Sequence, residues 1–322
     1  MRVLVTGGAG YLGSHTCKAL AAAGHKPIVY DNLSRGHRSV VRWGPLEVGD
    51  LGDGARLREV IVRHRPDGII HFAALAYVGE SLADPDLYYR NNVCGSLSLF
   101  EAMRENGPNL IVFSSSCATY GPPKMVPIAE DHPQNPINPY GASKLMVEHM
   151  LRDDAAAYGR RWMSLRYFNA AGADPDGEIG ELHDPETHAV PLAISAALGR
   201  VASFQVYGTD YPTADGSAVR DYVHVSDLAA AHIAALVHLS NGGHSMAANL
   251  GTGIGTSVLE LVEAVGQVAG RPVPITRSAR RSGDADVLVA DTRRARDVLG
   301  WRPRYTNIKD IVATAWNWHR SR

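Results

Sequence analysis

Short apolar, β-branched runs alternate with longer amphipathic stretches through the first half of this 322-residue chain. Val3–Thr6, Ile28–Tyr30, Gly68–Phe72, Leu110–Ser114 and Trp162–Tyr167 are apolar along nearly their whole length. That pattern marks strands of a parallel sheet buried on both faces. Between them, apolar residues recur at helical spacing over Leu12–Ala23, Ala55–Arg65, Pro85–Glu105 and Tyr140–Ala157. The last is the best bounded. Asn138 can cap its first turn, and Pro139 suits the first helical position, where no N–H is required. The alternation predicts an α/β protein with a doubly wound parallel sheet.

After Asn169 the texture changes. Residues 171–188 hold Gly, Pro, Asp, Glu and two His without periodicity, so they read as a long surface loop, of a length that usually carries function. Helical patterns follow near Pro191–Leu198, Val225–Leu239, Ser257–Ala269, Thr292–Leu299 and Ile308–Trp318, with short strands between. The expected organisation is a nucleotide-binding domain over 1–170 and a smaller α/β substrate-binding domain over 171–322, with residues about 220–250 returning to the first.

Composition narrows the function classes. Lys+Arg number 32 and Asp+Glu 33, a net charge of −1. With the basic residues scattered, neither a nucleic-acid footprint nor a polybasic membrane anchor is expected. The greasiest late stretch, Leu228–Leu239, is interrupted by His232 and His238 and is too short to span a bilayer. Cys17, Cys94 and Cys117 are too few and too scattered for a disulfide framework or a CxxC metal site. The opening Met1–Thr6 leaves no room for a signal peptide, so a cytoplasmic location is expected. The 14 histidines form no HExxH spacing, and His183 and His188 share a loop without any need to converge, so no metal is expected. Arginine outnumbers lysine 27 to 5, which makes each lysine informative.

Two clusters carry chemistry. Gly7, Gly8, Gly10 and Gly13 follow the first strand and open a helix, a spacing that lets backbone approach a pyrophosphate at a helix N-terminus. Asp31 ends the second strand 18 residues later, where a carboxylate accepts from adenosine ribose hydroxyls and repels a 2′-phosphate. Together they predict a Rossmann-type NAD site, with Arg35 and Arg38 nearby as the one feature pulling toward NADP. The second cluster is Tyr140-Gly-Ala-Ser-Lys144, a phenol and an ammonium four residues apart on the capped helix. A cation beside the phenol, with the positive ring of NAD⁺, should pull its pKa down from about 10 and make it a base. Tyr120 and Lys124 have the same spacing, but two intervening prolines forbid the helix. Ser114, Ser115 and Ser116 end the fourth strand at the sheet edge where such folds bind ligands.

In these residues the chain resembles the extended short-chain dehydrogenase/reductases, and among them the UDP-glucose (UDP-galactose) 4-epimerases. The resemblance covers nearly the whole chain: Thr6–Gly13, His71–Ala74, Val78–Ser81, Asn91–Val93, Tyr140–Lys144, Leu165–Asn169, Asp210–Thr213, Val219–Tyr222, Arg280-Arg281 and Gly283-Asp284 occur in the family's order. It implies NAD held by Gly7, Gly10, Tyr11, Leu12, Gly13, Asp31, Asn32, Asp50, Leu51, Phe72, Ala73, Ala74, Asn92, Ser114, Tyr140, Lys144 and Phe168. It implies a UDP-sugar held by Ser116, Tyr140, Asn169, Arg220, Arg281, Asp284 and Leu288. The catalytic group is then Tyr140, Lys144 and Ser116: Tyr140 takes the proton of the sugar 4-hydroxyl as C4 gives up hydride, and the 4-keto sugar turns before hydride returns. The family also implies a homodimer joined through helices near 85–105 and 140–157.

Departures bear on specificity. Ala76 stands where some relatives carry a cofactor-contacting lysine. Ala76-Tyr77-Val78 and Ser116–Gly121 are closer to a branch that includes UDP-xylose/UDP-arabinose 4-epimerases. Leu288 aligns with a gate that is tyrosine in enzymes restricted to sugars without N-acetyl groups, so UDP-N-acetylhexosamines are a further alternative. A nucleotide-sugar 4,6-dehydratase would need an Asp-Glu pair where this chain has Cys117-Ala118. A UDP-glucuronate decarboxylase is disfavoured on similar grounds. A non-catalytic NAD sensor would have no reason to keep both Tyr140 and Lys144. Cys117, with no histidine in the neighbouring sequence, reads as a small buried thiol rather than a nucleophile.

Overall fold

The computed structural model describes residues 1–281 and 283–322. Seven parallel strands lie in the order Met246–Leu250, Arg161–Tyr167, Leu110–Ser116, Gly68–His71, Arg2–Thr6, Lys26–Asp31 and Leu46–Val48. Chain order runs outward in opposite directions from the junction of Gly68–His71 with Arg2–Thr6. The connections after these two strands therefore leave on opposite faces and open a crevice at the carboxyl ends. The doubly wound sheet expected from the apolar runs is present, and every predicted strand falls within it. The reason is burial: Val3, Leu4, Val5, Ile69, Ile70, Ile111, Val112 and Leu165 are wholly excluded from solvent.

Helices cover both faces. Leu20, Leu228, Ala231, Ala235 and Leu239 pack on one, and Leu57, Ile61, Leu99, Phe100, Met103, Val147 and Leu151 on the other. A separate core holds the remaining unit. There Val190, Ile194, Phe204, Val206, Leu261, Val265, Ile311 and Val312 join the helices Ala189–Ala197, Val258–Ala269 and Ile308–His319 to the paired strands Phe204–Tyr207 and Ile275–Ser278. Among the described residues, no helix is long and apolar enough to cross a membrane.

The stretch expected as one helix over 85–105 is divided. A short helix Pro85–Tyr88 passes through a π-helical turn, Tyr89–Cys94, into Gly95–Asn106. Such wide turns re-aim side chains and are frequent at functional sites. The short helix Val78–Ala83 has too few residues to leave a periodic signal.

Helix Pro139–Tyr158 matches its expected bounds closely. Asn138 accepts the Gly141 N–H at 2.8 Å, and Gly159 closes the helix at φ 70°. Eight residues beyond Tyr140, Glu148 is fully buried and meets the buried Arg166 of the adjacent strand. Arg166 donates from Nε at 2.8 Å and from Nη2 at 2.6 Å, and the Ser115 hydroxyl adds a third bond at 2.6 Å. Arg166 also donates to the Tyr120 hydroxyl at 2.9 Å, which donates to Asn249 on the edge strand at 2.7 Å. Removing one partner strands the other's charge without water. Glu148→Ala is therefore expected to lower stability by about 3–5 kcal/mol in urea unfolding. A loss below 1 kcal/mol would show that the pair does not anchor the helix.

Candidate active site

The crevice at the strand ends opens into one cleft of about 1320 Å³ lying between the two cores. The glycine turn forms one wall. Gly7 has φ 71°, and a Cβ there would sit 2.6 Å from the Ala73 nitrogen, while one at Gly13 would strike the Gly7 carbonyl. Gly10 begins helix Tyr11–Ala22 with no side-chain cap, and the first intrahelical bond is Ser14 N–H to Gly10 O at 3.0 Å. The N–H groups of Tyr11, Leu12 and Gly13 thus lack intrahelical acceptors, and all three residues line the cleft. This is a cradle for a diphosphate, with the helix dipole behind it.

Asp31 closes the far side of that turn. Its Oδ2 accepts from Ala9 N at 3.0 Å and its Oδ1 from Leu33 N at 2.8 Å. Burial pushes its carboxyl up, against the pull of these backbone bonds. Asn32 donates to Asp50 at 2.7 Å, and both line the cleft with Leu51, Phe72, Ala73 and Ala74. Asn92 does not line it. This residue is buried one layer behind the wall and bonds both polar groups of the Leu75 backbone at 2.8 and 3.0 Å, while Asn91 faces the cleft. The π-helical turn sets that choice, which a regular helix over the same residues would not predict.

Tyr140 and Lys144 meet the cleft from the capped helix. The Lys144 ammonium donates to the Ser114 carbonyl at 2.7 Å and stands 5.9 Å from the centre of the Tyr140 ring. Two of its three N–H donors stay free for a ligand. Burial lowers the Lys144 pKa to about 7. Burial likewise pushes the Tyr140 phenol up to about 12, although a hydrogen bond from Ser116 works the other way. The expected lowering concerns the loaded site, with the lysine and the positive ring of NAD⁺ together; in the protein by itself desolvation dominates. Cys117 lines the cleft beside them, its thiol pushed up to about 12 by burial.

The opposite wall carries Phe168, Asn169, Arg220, Arg281, Asp284 and Leu288. Asp284 draws both arginines together, Arg281 at 3.1 Å and Arg220 at 3.8 Å. Buried Asp221 staples the segment, accepting from Thr252 N, Gly253 N and Ala290 N. Residues far apart in sequence, from Gly7 to Leu288, share one space. The arrangement can hold a dinucleotide against one wall and a second diphosphate against the other, with a phenol between.

Sequence reasoning read residues 171–188 as a loop of functional length but did not place Glu181–His188 at the cleft. His183, Thr187 and His188 line the cleft, and the segment crosses to the first unit. His37 bonds the Leu182 carbonyl at 2.7 Å, and Arg35 donates to the Asp184 carbonyl at 3.2 Å. Arg35 also pairs with Glu80 at 2.6 Å and lies over the Tyr77 ring. A loop without periodicity carries no local signal of where it will be tied.

Comparison with known proteins agrees with this geometry. The family model described as "NAD dependent epimerase/dehydratase family" matches residues 3–251. A UDP-glucose 4-epimerase from Rhizobium leguminosarum bv. trifolii is 56% identical over 317 residues, 98% of this chain and 97% of its own length. The crystal structure of UDP-glucose 4-epimerase from Brucella ovis in complex with NAD superposes with a TM-score of 0.96 at 55% identity, covering 98% of this chain and 97% of that one. A UDP-glucose 4-epimerase from Stenotrophomonas maltophila with bound NAD and formylated UDP-arabinopyranose reaches a TM-score of 0.97 at 41% identity, over 100% of this chain and 98% of that one. The uncapped glycine-rich helix start, the Tyr140–Lys144 face and a match spanning the whole chain make this protein a member of the NAD-dependent epimerase/dehydratase family.

Proposed function

We propose that this chain is an NAD-dependent UDP-sugar 4-epimerase interconverting UDP-glucose and UDP-galactose, with Tyr140 as its acid–base group. One observation carries the reading. The Tyr140–Lys144 pair opens onto the same cleft as a diphosphate cradle on one side and two arginines sharing Asp284 on the other. The cradle fits NAD, since Gly7 and Gly13 leave no room for a Cβ and the helix start keeps its N–H groups free. Asp31, Asn32, Asp50 and Leu51 would hold the adenosine end, Phe72, Ala73, Ala74 and Phe168 the faces, and Lys144 the nicotinamide ribose.

NAD, when bound, supplies a ring that accepts the hydride of C4 and later returns it, and brings positive charge beside the phenol. The chain does the rest. Tyr140 takes the proton from the 4-hydroxyl oxygen and gives it back to that oxygen once the turned sugar is reduced on its other face, with Ser116 within reach of both oxygens. From about 12, ionisation near neutral pH asks for five pKa units, roughly 7 kcal/mol at 1.36 kcal/mol per unit. A protonated Lys144 at 5.9 Å contributes about 3 kcal/mol at an effective dielectric of 20. The remainder falls to the bound cofactor's charge, so proton transfer waits for a loaded site. Arg220 and Arg281 would grip the UDP diphosphate, where guanidinium forks bind oxygens in pairs. Gripping the nucleotide leaves the sugar free to turn, which inversion by a single hydride acceptor requires.

Leu288 in the cleft leaves room for bulkier sugars than a tyrosine would, which keeps UDP-N-acetylhexosamines as a second reading, while the segments Ala76–Val78 and Ser116–Gly121 keep UDP-xylose and UDP-arabinose. Exposed Leu97 and Met146, on the two helices that the family pairs, support a homodimer. Three unpaired thiols suit a reducing compartment such as the cytoplasm.

Assaying the purified protein on UDP-glucose, UDP-xylose and UDP-N-acetylglucosamine without added NAD⁺ tests substrate and cofactor retention together. Turnover of UDP-glucose is expected, and its absence even with added NAD⁺ would sink the reading. Tyr140→Phe should keep NAD yet lose turnover by about 10²–10⁴-fold, the range for removing a general acid–base. Near-normal activity would reject the role. Leu288→Tyr should cut activity on UDP-N-acetylglucosamine more than on UDP-glucose, and equal losses would reject the gate. The burial of Lys144 also has a signature in stability. The unfolded chain keeps this lysine's proton to its ordinary range near 10.5, whereas the folded one gives it up near 7. Between these values the folded state binds fewer protons, so stability rises with pH. In cofactor-free protein, stability relative to Lys144→Met should climb from pH about 7 to about 10, and parallel curves would contradict this.

A further inference from the structure

The two histidines that sequence spacing left unrelated come together. Nδ1 of His183, Nδ1 of His188 and one carboxylate oxygen each from Glu181 and Glu186 all lie within 4.8 Å of one another. His183 Nδ1 is 2.8 Å from Glu181 Oε1 and 4.0 Å from Glu186 Oε1, while His188 Nδ1 is 3.8 Å from Glu186 Oε1 and in direct contact with Glu181. The two imidazoles are tilted, with centres 5.1 Å apart. Four ligands at about 2.0–2.1 Å around a tetrahedral ion stand roughly 3.3 Å from each other, so adjustments of under an ångström would seat one.

We propose that Glu181, His183, Glu186 and His188 form a binding site for a divalent transition-metal ion of the zinc class, on the segment that crosses the cleft. Donor chemistry sets the class, because two imidazole nitrogens with two carboxylates suit zinc, cobalt or nickel rather than calcium or magnesium. Burial argues that the cluster is built rather than incidental. Glu181 is 2% exposed. The His183 Nδ1 is shut off from solvent and finds no hydrogen bond of acceptable geometry among the described residues. Two carboxylates stand against two imidazoles just behind the cleft-lining His183 and His188, and a dication would offset their charge. A contrast lies close by. The acidic group Asp174, Asp176 and Glu178 already has its cation, the Lys18 ammonium, at 2.6–2.9 Å from each.

The surroundings hold the ligands in place. Tyr11 and Tyr77 stand edge-on to His183, with ring centres 6.1 and 5.8 Å away. Trp318 donates to the Glu181 carbonyl at 3.0 Å from the second core, while His37 and Arg35 hold the same segment from the first. An ion at the quartet would fasten the crossing segment to itself and stiffen the roof of the cleft. The role is structural and independent of the proton and hydride chemistry.

Untagged protein, stripped with a chelator and dialysed, is titrated with Co²⁺ and then with Zn²⁺, in the wild type and in the turnover-deficient Tyr140→Phe. The expected result is visible absorption of low-symmetry Co²⁺ saturating at one ion per chain, its displacement by Zn²⁺, and the same behaviour in both proteins. At a hundredfold excess over Kd the thermal midpoint should rise by roughly 4 °C. The double variant His183→Ala/His188→Ala, checked for native circular dichroism, should lose the absorption and the shift. Glu181→Gln, a milder change, should weaken binding at least tenfold. Only the spectrum of aqueous Co²⁺ in the wild type, or equal binding by the double variant, overturns the site. Because Tyr140→Phe serves for the titration, loss of the metal site and failure of the epimerase reading are separately visible.

Discussion

The buried pair of Glu148 and Arg166 is the interaction on which the site's geometry rests. Glu148 lies one helical turn beyond Lys144 and two beyond Tyr140, so all three point from one face of helix Pro139–Tyr158. Arg166 grips that face from the sheet with two bonds, while Ser115, one residue before Ser116, supplies a third. Helix, catalytic strand and neighbouring strand are thereby fixed to one another by charged hydrogen bonds that water cannot reach. Such a pair adds little over a well-packed apolar contact in net stability, but a broken one is very costly. The cost falls on wrong registers, in which the helix slides or turns and Tyr140 misses Ser116. Onward bonds through Tyr120 to Asn249 carry the same constraint to the edge strand.

Desolvation is the price of that placement, and it sets the chemistry of the cleft. One burial moves the lysine down to about 7 and the tyrosine up to about 12, so each is driven toward its neutral form. Among the described residues, Lys144 has one protein acceptor, the Ser114 carbonyl. A neutral phenol beside a lysine poised near neutrality is inert until positive charge and new acceptors arrive. Without a ligand the site thus has little drive to move protons, and a bound dinucleotide changes both groups in the productive direction. Arg281, by contrast, lies toward water and Arg220 is mostly covered, and Asp284 stands between the two before any ligand arrives.

How much of this could be read from the chain depends on the range over which each feature is determined. The strands were legible because burial on both faces writes an uninterrupted apolar run. Helix Pro139–Tyr158 was legible because Asn138, Pro139 and Gly159 punctuate it locally. The glycine turn announces itself through sterics: Gly7 and Gly13 sit where a Cβ collides with backbone. The placement of Asn92 was not legible: within the π-helical turn Tyr89–Cys94 it lies behind the cleft wall, bonded to the Leu75 backbone. The upward Tyr140 shift of the unliganded protein was not legible for a related reason. Charge neighbours can be counted along a helix, but the depth of burial that opposes them is a property of the whole fold. The crossing segment was legible as a loop of functional length but not its position, since its ties to His37, Arg35 and Trp318 span more than a hundred residues.

A net charge of −1 conceals a strongly ordered field. Arg220 and Arg281 gather on the wall beside Leu288, and Lys144 stands at the centre. Asp31 and Asp50 line the far end of the glycine cradle, while acidic Glu181 and Glu186 lie behind His183 and His188 of the crossing segment. Screening over about 8–10 Å makes distant charges irrelevant to a bound nucleotide, so these local groups, rather than the total, decide what binds. Carboxylates at the cradle end suit uncharged ribose hydroxyls and adenine, while cations at the other end suit a diphosphate. The crossing segment is the exception, because its two carboxylates stand behind the cleft-lining His183 and His188. Two imidazoles offset them only in part, and that imbalance is what makes a cation at the quartet physically coherent with anion binding in the cleft.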